Sequence, residues 1–368
     1  MINNITFLLP GYSNKPIGGY KIVYEYTNRL IADGYVVNIV FPIRLLWYSY
    51  GFLHKTKLII LFLISKVYKC CGIGKWFDLD SRVKLKLTWN LSERKVPISD
   101  IYIATSIETA VELAKFNNIN NNNKFYFIQG FESWGKFNEN KVFQSYRLPM
   151  KKIVISENLL DIVKSAGGTA ELVHNGFDSN KFYISLPIEE KNKYSVTMLY
   201  HTSLLKGCKD GIDALNTVKK QFPQLKAIFF GKDSPSENLP SWIKFYKKPS
   251  PQKLNEIYNN SAIYIGTSHS EGMGLVIGEA MLCGAAIACT DIGGYKTLAK
   301  NMETALLSPI KDPQKLAVNI IKLIEDDELR FKLATNGNIY MKNFSWDIAY
   351  NKMKHALLSD PCNDREGR

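Results

Sequence analysis

Short apolar runs alternate with longer stretches of helical periodicity along most of the chain. Examples are residues 4–9 (NITFLL), 124–129 (KFYFIQ), 195–201 (SVTMLYH) and 262–266 (AIYIG). Each run is followed by a loop of glycine or polar residues and then by a segment with helical spacing of apolar positions. This alternation is typical of parallel strands covered by helices. The pattern therefore predicts an α/β protein, and a length of 368 residues suits two domains.

The same pattern assigns the elements in each half of the chain. The first half is predicted to contain strands at residues 4–9, 36–41, 100–104, 124–129 and 151–156, and helices at 20–33, 108–116 and ending at 166. The second half is predicted to contain strands at 195–201, 225–231, 244–247, 262–266, 285–290 and 303–308. Its helices are predicted to end near 222 and to span 251–260, 273–283, 312–325, 327–344 and 346–358. The polar segment 187–193 is predicted to link the two halves.

The richest candidate chemistry lies in residues 264–294, which read YIGTSHSEGMGLVIGEAMLCGAAIACTDIGG. Glu271 is predicted to lie in the loop before a helix, and Glu279 inside that helix. The helix start between them is formed by Gly272, Met273, Gly274 and Leu275. A helix start offers unpaired N–H groups and favours an anion such as a diphosphate, and glycines allow a ligand to approach closely. Carboxylates would repel phosphate but accept hydrogen bonds from sugar hydroxyls.

These features together describe a nucleotide-sugar pocket. The alternative is that Glu271 and Glu279 are solvated charges near a helix end. The full pattern of two glutamates eight positions apart, a glycine-rich helix start and a following Gly293-Gly294 resembles glycosyltransferase family 4. The resemblance implies the GT-B fold, in which two Rossmann-like domains face each other across a cleft. It also implies that a sugar moves from a nucleoside diphosphate sugar to a hydroxyl with retention of configuration, and that no metal or further cofactor is used.

The resemblance extends to other residues of the donor site. Gly18 and Gly19 match a loop that lies over the donor diphosphate, although they could instead serve a tight turn. In the family, the loop after the first strand of the second domain typically reads G-R-x4-K-G, and its Arg and Lys grip the diphosphate. Lys206 and Gly207 match this pattern, but the arginine position is occupied by His201. The resemblance assigns catalysis to Glu271, Lys206 and His201, with Glu271 holding sugar hydroxyls and Glu279 the ribose hydroxyls. His201 is either a hydrogen-bond donor to the ligand or a packing residue. If it acts as a cation, donor affinity should weaken as pH rises from 6 to 8.

Candidate residues on the acceptor side follow the strands of the first half. Thr105, Gln129 and Glu132 come at or just after strand ends, which face the ligand crevice in doubly wound sheets. The string YFIQ-x-x-E at residues 126–132 resembles some bacterial polysaccharide transferases of family 4, of the surface-polysaccharide or O-antigen type. Glu132 could also be an ordinary loop charge. The resemblance implies a glycan acceptor, and we expect a lipid-linked or lipopolysaccharide intermediate.

The resemblance also suggests the domain boundaries. Asn175, Gly176, Asp178 and Phe182 match the stretch where the first domain of the family hands over to the second. We therefore expect an N-terminal domain of residues 1–180 and a C-terminal domain of residues 181–344. Residues 345–359 are expected to form a helix that returns to the first domain, followed by a disordered tail at 360–368.

Positive charge is concentrated in residues 44–95. The whole chain carries a net charge of +13, and this segment has eleven Lys or Arg residues against three acidic ones. It also contains three tryptophans and the apolar run 58–64 (LIILFLI), which is too short to cross a bilayer. A basic, apolar helix suits the surface of an anionic membrane. The alternative is a core helix with a solvated basic face. Nucleic acid is not expected as a partner, because no recognisable binding motif accompanies the charge.

The remaining composition narrows the setting. Six cysteines without a C-x-x-C pair fit a reduced, cytoplasmic compartment, and the N-terminus shows neither a signal peptide nor a membrane span. The pair Asp78 and Asp80 is a D-x-D sequence, but it lacks the context of a metal site. Three alternatives to a transferase stay open: a GT-B sugar-nucleotide epimerase, a non-catalytic homologue acting as a partner subunit, and a membrane- or polyanion-binding protein. A transferase located peripherally on the inner face of the membrane is the preferred hypothesis.

Overall fold

The chain divides into two compact units in a computed structural model. The structure describes residues 2–49, 51–68, 76–133, 138–232, 234–235 and 239–359. The first unit comprises Met1–Val173 and Tyr350–Arg368, and the second comprises His174–Ala349. The division therefore precedes the expected boundary at residue 180. The expected tail at 360–368 lies outside the described residues, as do Lys69, Lys75, Cys70 and Cys71 of the basic segment.

The first unit is built on a seven-stranded parallel sheet in the order β3-β2-β1-β4-β5-β6-β7. Its strands are β1 (Asn4–Leu8), β2 (Val36–Pro42), β3 (Lys84–Thr88), β4 (Ile101–Ala104), β5 (Lys124–Ile128), β6 (Lys151–Val154) and β7 (Glu171–Leu172). Its helices are α1 (Gly18–Ala32), α2 (Phe52–Tyr68), α3 (Ile107–Ala114), α4 (Glu139–Ser145) and α5 (Glu157–Ser165). All residues of β4 and β5 are buried, as expected for central parallel strands covered on both faces.

The second unit is built on a six-stranded parallel sheet in the order β10-β9-β8-β11-β12-β13. Its strands are β8 (Ser195–Tyr200), β9 (Lys226–Gly231), β10 (Ile243–Lys247), β11 (Ile263–Gly266), β12 (Ala286–Thr290) and β13 (Ala305–Ser308). Its helices are α6 (Cys208–Gln221), α7 (Pro251–Asn259), α8 (Leu275–Leu282), α9 (Gly293–Lys296), α10 (Pro313–Glu325) and α11 (Asp327–Tyr340). The strand order reverses between β8 and β11, so the loops after these two strands start side by side.

The predicted strands and helices are confirmed, with ends that differ by a few residues. The predicted helix 327–344 is α11 followed by a 3₁₀ turn over Met341–Phe344. Among the strands and α-helices of the described residues, β3, α4, β7 and α9 were not predicted from the sequence.

The last helix, α12 (Trp346–Leu358), crosses from the second unit into the first. Tyr350 Oη donates a hydrogen bond to Asp33 Oδ2 at 2.8 Å, and Lys354 Nζ lies 2.6 Å from the same oxygen. Asp33 follows α1 directly, and these two bonds lower its pKa. The part of α12 from Tyr350 to Leu358 thus belongs to the first unit, whereas its first turn belongs to the second.

Helix α2 presents apolar side chains on both sides. Its inner side packs through Leu58, which is buried, and Phe62, whose ring lies 5.8 Å from that of Trp89. Its outer side carries five large apolar residues that are 43% to 83% exposed: Phe52, Leu53, Ile60, Leu63 and Ile64. The alternative of a core helix with a solvated basic face does not fit this outer row. Within the described ranges, no helix combines the length and apolarity needed to cross a membrane.

Candidate nucleotide-sugar site

The start of α8 requires a glycine at its N-cap. Gly274 has φ +80° and ψ 56°, the left-handed conformation that side chains disfavour. A Cβ added to Gly274 would also come within 2.7 Å of the Tyr295 ring. The N-cap therefore contributes no side chain to the first-turn N–H groups, an arrangement that suits anion binding at a helix start.

Glu271 lies in the loop before α8, as predicted, and the second glycine of Gly293-Gly294 fixes its position. A Cβ on Gly294 would lie 2.0 Å from the backbone oxygen of Glu271, so only glycine permits this packing. The carboxylate is engaged on one oxygen. Lys206 Nζ lies 2.5 Å from Glu271 Oε1, and Ser268 Oγ donates to the same oxygen at 2.9 Å. The structure thus brings two predicted catalytic residues into one ion pair.

The loop after β8 places Lys206 beside this carboxylate. Residues Leu204–Lys206 form a 3₁₀ turn that ends at Gly207, whose φ is +57°. A Cβ on Gly207 would lie 2.1 Å from Thr267 O, so the loop after β8 packs tightly on the loop after β11. Thr267 Oγ1 also donates to Lys206 O at 2.7 Å. The predicted Lys206-Gly207 pair is therefore explained by the meeting of these two loops.

His201 lies directly after β8 and is held by the main chain. The ring nitrogen Nδ1 of His201 accepts a hydrogen bond from Ser203 N at 2.9 Å. The backbone N–H of His201 donates to Cys208 Sγ at 3.2 Å. An accepting Nδ1 places the proton of the neutral ring on Nε2. This arrangement supports a neutral ring rather than a cation in place of the usual arginine.

Glu279 lies inside α8, as predicted, but it is buried. Tyr258 Oη of α7 donates to Glu279 Oε2 at 3.2 Å, and burial together with Glu279 raises the pKa of Tyr258. The alternative of solvated helix-end charges is therefore wrong for Glu279, because its side chain is buried and accepts a hydrogen bond from Tyr258.

The side chain of Met273 helps to hold the loop before α8 in place. It is buried, and its sulfur accepts a hydrogen bond from Asn175 N at 3.4 Å. A Cβ on the neighbouring Gly176 would lie 2.6 Å from Trp346 Cα, so this turn is closely packed on both sides. The Asn175-Gly176 stretch therefore supports the loop that precedes α8. Helix α8 begins at Leu275, two residues later than predicted, and Gly272 lies in the loop that precedes it.

In the first unit, Gln129 and the paired glycines meet at the start of α1. Gln129 Nε2 donates to Gly19 O at 3.2 Å, and a Cβ on Gly19 would lie 3.4 Å from the amide of Gln129. Gly18 is different, because a Cβ there would meet nothing within 4 Å. Packing therefore does not explain why residue 18 is a glycine. A ligand that approaches the main chain at the start of α1 would explain it.

The other two acceptor-side candidates are tied into the first unit. Glu132 is buried, its Oε2 accepts from Ile107 N at the start of α3 at 2.7 Å, and burial raises its pKa to about 8. The alternative of an ordinary loop charge is therefore wrong. Thr105 Oγ1 donates to Leu8 O at 2.9 Å and links the ends of β4 and β1. Both side chains make structural hydrogen bonds at the strand ends where they were predicted.

Two residues of the second-unit site were missed by sequence reasoning. His269 Nε2 lies 2.7 Å from Asp210 Oδ2 in the first turn of α6. No spacing rule links residues 59 positions apart, and they meet because β8 and β11 are neighbours. A separate open pocket of about 410 Å³ lies after β12 and β13 and is lined by Asp291, Asn301, Leu307, Ser308, Pro309 and Ile310.

The D-x-D sequence forms a local ion pair. Arg82 Nη2 lies 2.7 Å from Asp80 Oδ2, and the hydrogen bonds from Arg82 lower the pKa of Asp80 to about 2. In the described part of the chain, no three His, Cys, Asp or Glu side chains are grouped closely enough to hold a metal ion.

Comparison with known protein families finds a match for the segment that carries most of this site. Residues 180–339 match the family model of "Glycosyl transferases group 1". The match covers 160 of the 368 residues, which is less than half of the chain. It lies within the second unit and contains Lys206, His269, Glu271 and Glu279.

Curated proteins that are similar to this chain include two named enzymes. The chain is 23% identical over 227 residues to a phosphatidyl-myo-inositol mannosyltransferase of Mycobacterium tuberculosis, covering 56% of this chain and 60% of that protein. It is 31% identical over 104 residues to a D-inositol 3-phosphate glycosyltransferase of Corynebacterium efficiens, covering 28% of this chain and 24% of that protein. The chain thus spans at most about three fifths of these two relatives.

Solved structures match nearly the whole chain and confirm the GT-B fold. Sucrose-phosphate synthase from Thermosynechococcus elongatus superposes with a TM-score of 0.72 at 15% identity, covering 96% of this chain and 98% of that one. Anabaena HepE in complex with UDP-glucose superposes with a TM-score of 0.71 at 21% identity, covering 96% and 99%.

Proposed function

We propose that this protein transfers a sugar from a nucleoside diphosphate sugar to a hydroxyl of a glycan acceptor, with retention of configuration. The observation that carries the proposal is the Lys206–Glu271 pair beside the glycine-capped start of α8. This pair lies in the segment that matches the family model of group 1 glycosyl transferases. A cation and helix-start N–H groups suit a diphosphate, and the carboxylate suits sugar hydroxyls. The complex of HepE with UDP-glucose supports a donor of this class.

In the proposed reaction, Lys206 turns from Glu271 to the donor diphosphate. Together with the N–H groups at residues 272–275, it stabilises the charge that develops on the leaving group. Glu271 is then released to accept hydrogen bonds from the sugar, and Glu279 serves the ribose. The bond from the anomeric carbon to the diphosphate oxygen breaks as the acceptor oxygen bonds on the same face. The departing phosphate takes the acceptor proton, so the protein supplies no covalent nucleophile. His201 contributes a neutral hydrogen bond, and Gly18 and Gly19 give the diphosphate close access to the main chain.

We propose that the reaction needs neither a metal ion nor another cofactor, because Lys206 and the start of α8 supply the positive charge. The acceptor is proposed to be a lipid-linked or lipopolysaccharide glycan intermediate, with recognition near Thr105, Gln129 and Glu132. The relative named phosphatidyl-myo-inositol mannosyltransferase supports an acceptor with a lipid portion.

A lipid acceptor also accounts for the outer row of α2. The exposed row of Leu53, Ile60, Leu63 and Ile64 repeats at helical spacing and faces away from the Trp89 side. Lys55 and Lys57 lie on the same helix, and Lys84 and Lys86 on strand β3. An apolar helix face bordered by lysines suits the interface of an anionic membrane. We therefore propose a cytoplasmic protein that binds peripherally to the inner face of the membrane.

Membrane binding can be tested by sedimentation with vesicles of phosphatidylcholine, with and without phosphatidylglycerol. Binding is expected only to the anionic vesicles and should weaken as salt rises. Ile60→Glu and Leu63→Glu should abolish it. Ile339→Glu on α11 is the matched control, because Ile339 is a similarly exposed isoleucine of the second unit. Equal binding by all variants would contradict a role for α2.

Sugar transfer can be tested with UDP-, GDP- and dTDP-sugars, a lipid extract as acceptor, and a chelator present throughout. One donor is expected to yield a glycosylated lipid, and Lys206→Met should lose that product while remaining folded. A new nucleotide sugar formed without acceptor would instead indicate an epimerase. No turnover of any donor would favour a non-catalytic partner subunit.

A further inference from the structure

The two loops of the second-unit site are joined by a second side-chain pair besides Lys206–Glu271. His269 Nε2 and Asp210 Oδ2 lie 2.7 Å apart, with the two side chains 16% and 21% exposed. Asp210 belongs to the first turn of α6, which follows the loop after β8. His269 belongs to the loop after β11, two residues before Glu271. Both pairs therefore bridge the same two segments, residues 203–210 and 267–271.

Backbone contacts show how closely these segments are aligned. His269 N donates to Leu205 O at 2.8 Å, and Thr267 Oγ1 donates to Lys206 O at 2.7 Å. A Cβ on Gly207 would lie 2.9 Å from His269 Nε2, so the absent side chain lets the imidazole reach Asp210. The geometry of the His269–Asp210 pair thus depends on the same glycine that follows Lys206.

The two pairs differ in what donor binding does to them. In the proposed reaction, the diphosphate draws Lys206 away from Glu271, and one of the two pairs in which both partners are side chains is lost. The His269–Asp210 pair uses neither Lys206 nor Glu271 and can stay closed. A link that survives donor binding would keep the phosphate-binding lysine and the hydroxyl-binding carboxylate at a constant separation.

We propose that His269 and Asp210 are positioning residues that hold the two donor-binding segments in register while the Lys206–Glu271 pair is open. This inference rests on the proposed function for its catalytic consequence. The mechanical part of the proposal is that the pair holds the two segments in register. It can be tested without a donor, because Glu271→Gln opens the ion pair in the free protein.

The mechanical part can be tested by amide hydrogen exchange over residues 203–210 and 267–271. Four proteins are compared: wild type, His269→Ala, Glu271→Gln and the double variant. Either single change leaves one of the two side-chain pairs intact and should raise exchange in these segments by less than threefold. The double variant should raise it by more than the product of the two single effects, at least tenfold. Effects that multiply without excess would overturn the proposal.

The catalytic part can be tested in the transfer assay. His269→Ala and Asp210→Asn are each expected to lower kcat by about tenfold, with a smaller change in the donor KM. His269→Gln should restore most of the rate, because its Nε2 can donate to Asp210 as the imidazole does. Asp213→Asn is the control, since Asp213 pairs with Lys209 on the exposed side of the same helix. It should behave as wild type.

Three outcomes separate this proposal from the proposed function. A His269→Gln protein as impaired as His269→Ala would mean that the imidazole itself contacts the ligand, and the positioning role would be wrong. A wild-type rate in His269→Ala would also overturn it. If wild type turns over no donor but the hydrogen-exchange excess is present, the link between the segments stands and the proposed function fails.

Discussion

Glu271→Gln is expected to strengthen binding of the nucleoside diphosphate while slowing turnover of the sugar-bearing donor. In the free protein, Glu271 holds Lys206 Nζ at 2.5 Å, so a diphosphate must compete with this carboxylate for the lysine. Glutamine removes the competing charge and leaves a side chain of nearly the same size. The substitution also removes the acceptor proposed for the sugar hydroxyls, which a diphosphate without sugar does not use.

The size of the effect follows from the exposure of the pair. The side chains of Lys206 and Glu271 are 27% and 17% exposed. A partly exposed ion pair of this kind is worth about 0–1 kcal/mol. A carboxylate left roughly 6 Å from a bound diphosphate adds a repulsion on the order of 1 kcal/mol. Removing both should lower the Kd of the nucleoside diphosphate by about tenfold. Loss of the charged hydrogen bond to the sugar should lower kcat by about a hundredfold.

The assay is calorimetric titration of the nucleoside diphosphate, paired with turnover of the matching nucleotide sugar. Glu325→Gln on α10 makes the same charge change away from the site and should alter neither quantity. Lys206→Met should weaken diphosphate binding and slow turnover of the nucleotide sugar. Unchanged or weaker diphosphate binding by Glu271→Gln would refute the idea that this carboxylate and the diphosphate compete for Lys206.

Three further predictions concern single residues. Because burial raises the pKa of Glu132 from 4.5 to about 8, its stabilising contribution is complete below pH 4.5 and is lost as pH rises toward 8. Glu132→Gln should therefore raise the Tm at pH 9 by a few degrees relative to wild type and little at pH 4, as measured by thermal unfolding. Gly274→Ala should destabilise the protein by about 1–3 kcal/mol in denaturant unfolding because of its positive φ, whereas Gly18→Ala should be nearly neutral because a Cβ there meets open space. Nucleotide affinity in titrations at pH 6, 7 and 8 should stay flat if His201 acts as a neutral ring. A decline toward pH 8 would instead support the cationic role.

Much of the fold could be predicted from periodicity, because parallel strands buried on both faces are short apolar runs separated by helices. Strand β3 was missed for a physical reason. Its sequence KLKLT alternates lysine and leucine as an edge strand does, but it lies in a segment whose charge suggested a surface helix. Helix α9 spans only Gly293–Lys296, too few residues to show a period.

The site shows a similar division between what spacing can and cannot reveal. Glu271 and Glu279 could be predicted because they lie in one strand–loop–helix unit. The burial of Glu279 against Tyr258 depends on how α7 packs on α8, which no local pattern reports. The His269–Asp210 pair depends on the neighbouring positions of β8 and β11 in the sheet. Contacts that arise from sheet order are therefore the part of the site that needed the structure.

The central claim, a nucleotide-sugar site in the second unit, is tested most directly by titrating UDP, GDP and dTDP into wild type and Glu279→Ala without added metal. One nucleotide should bind with micromolar affinity, and the binding should be lost in the variant because its ribose acceptor is gone. Equal binding by the variant would contradict the assignment of Glu279, and no binding of any nucleotide would contradict the site.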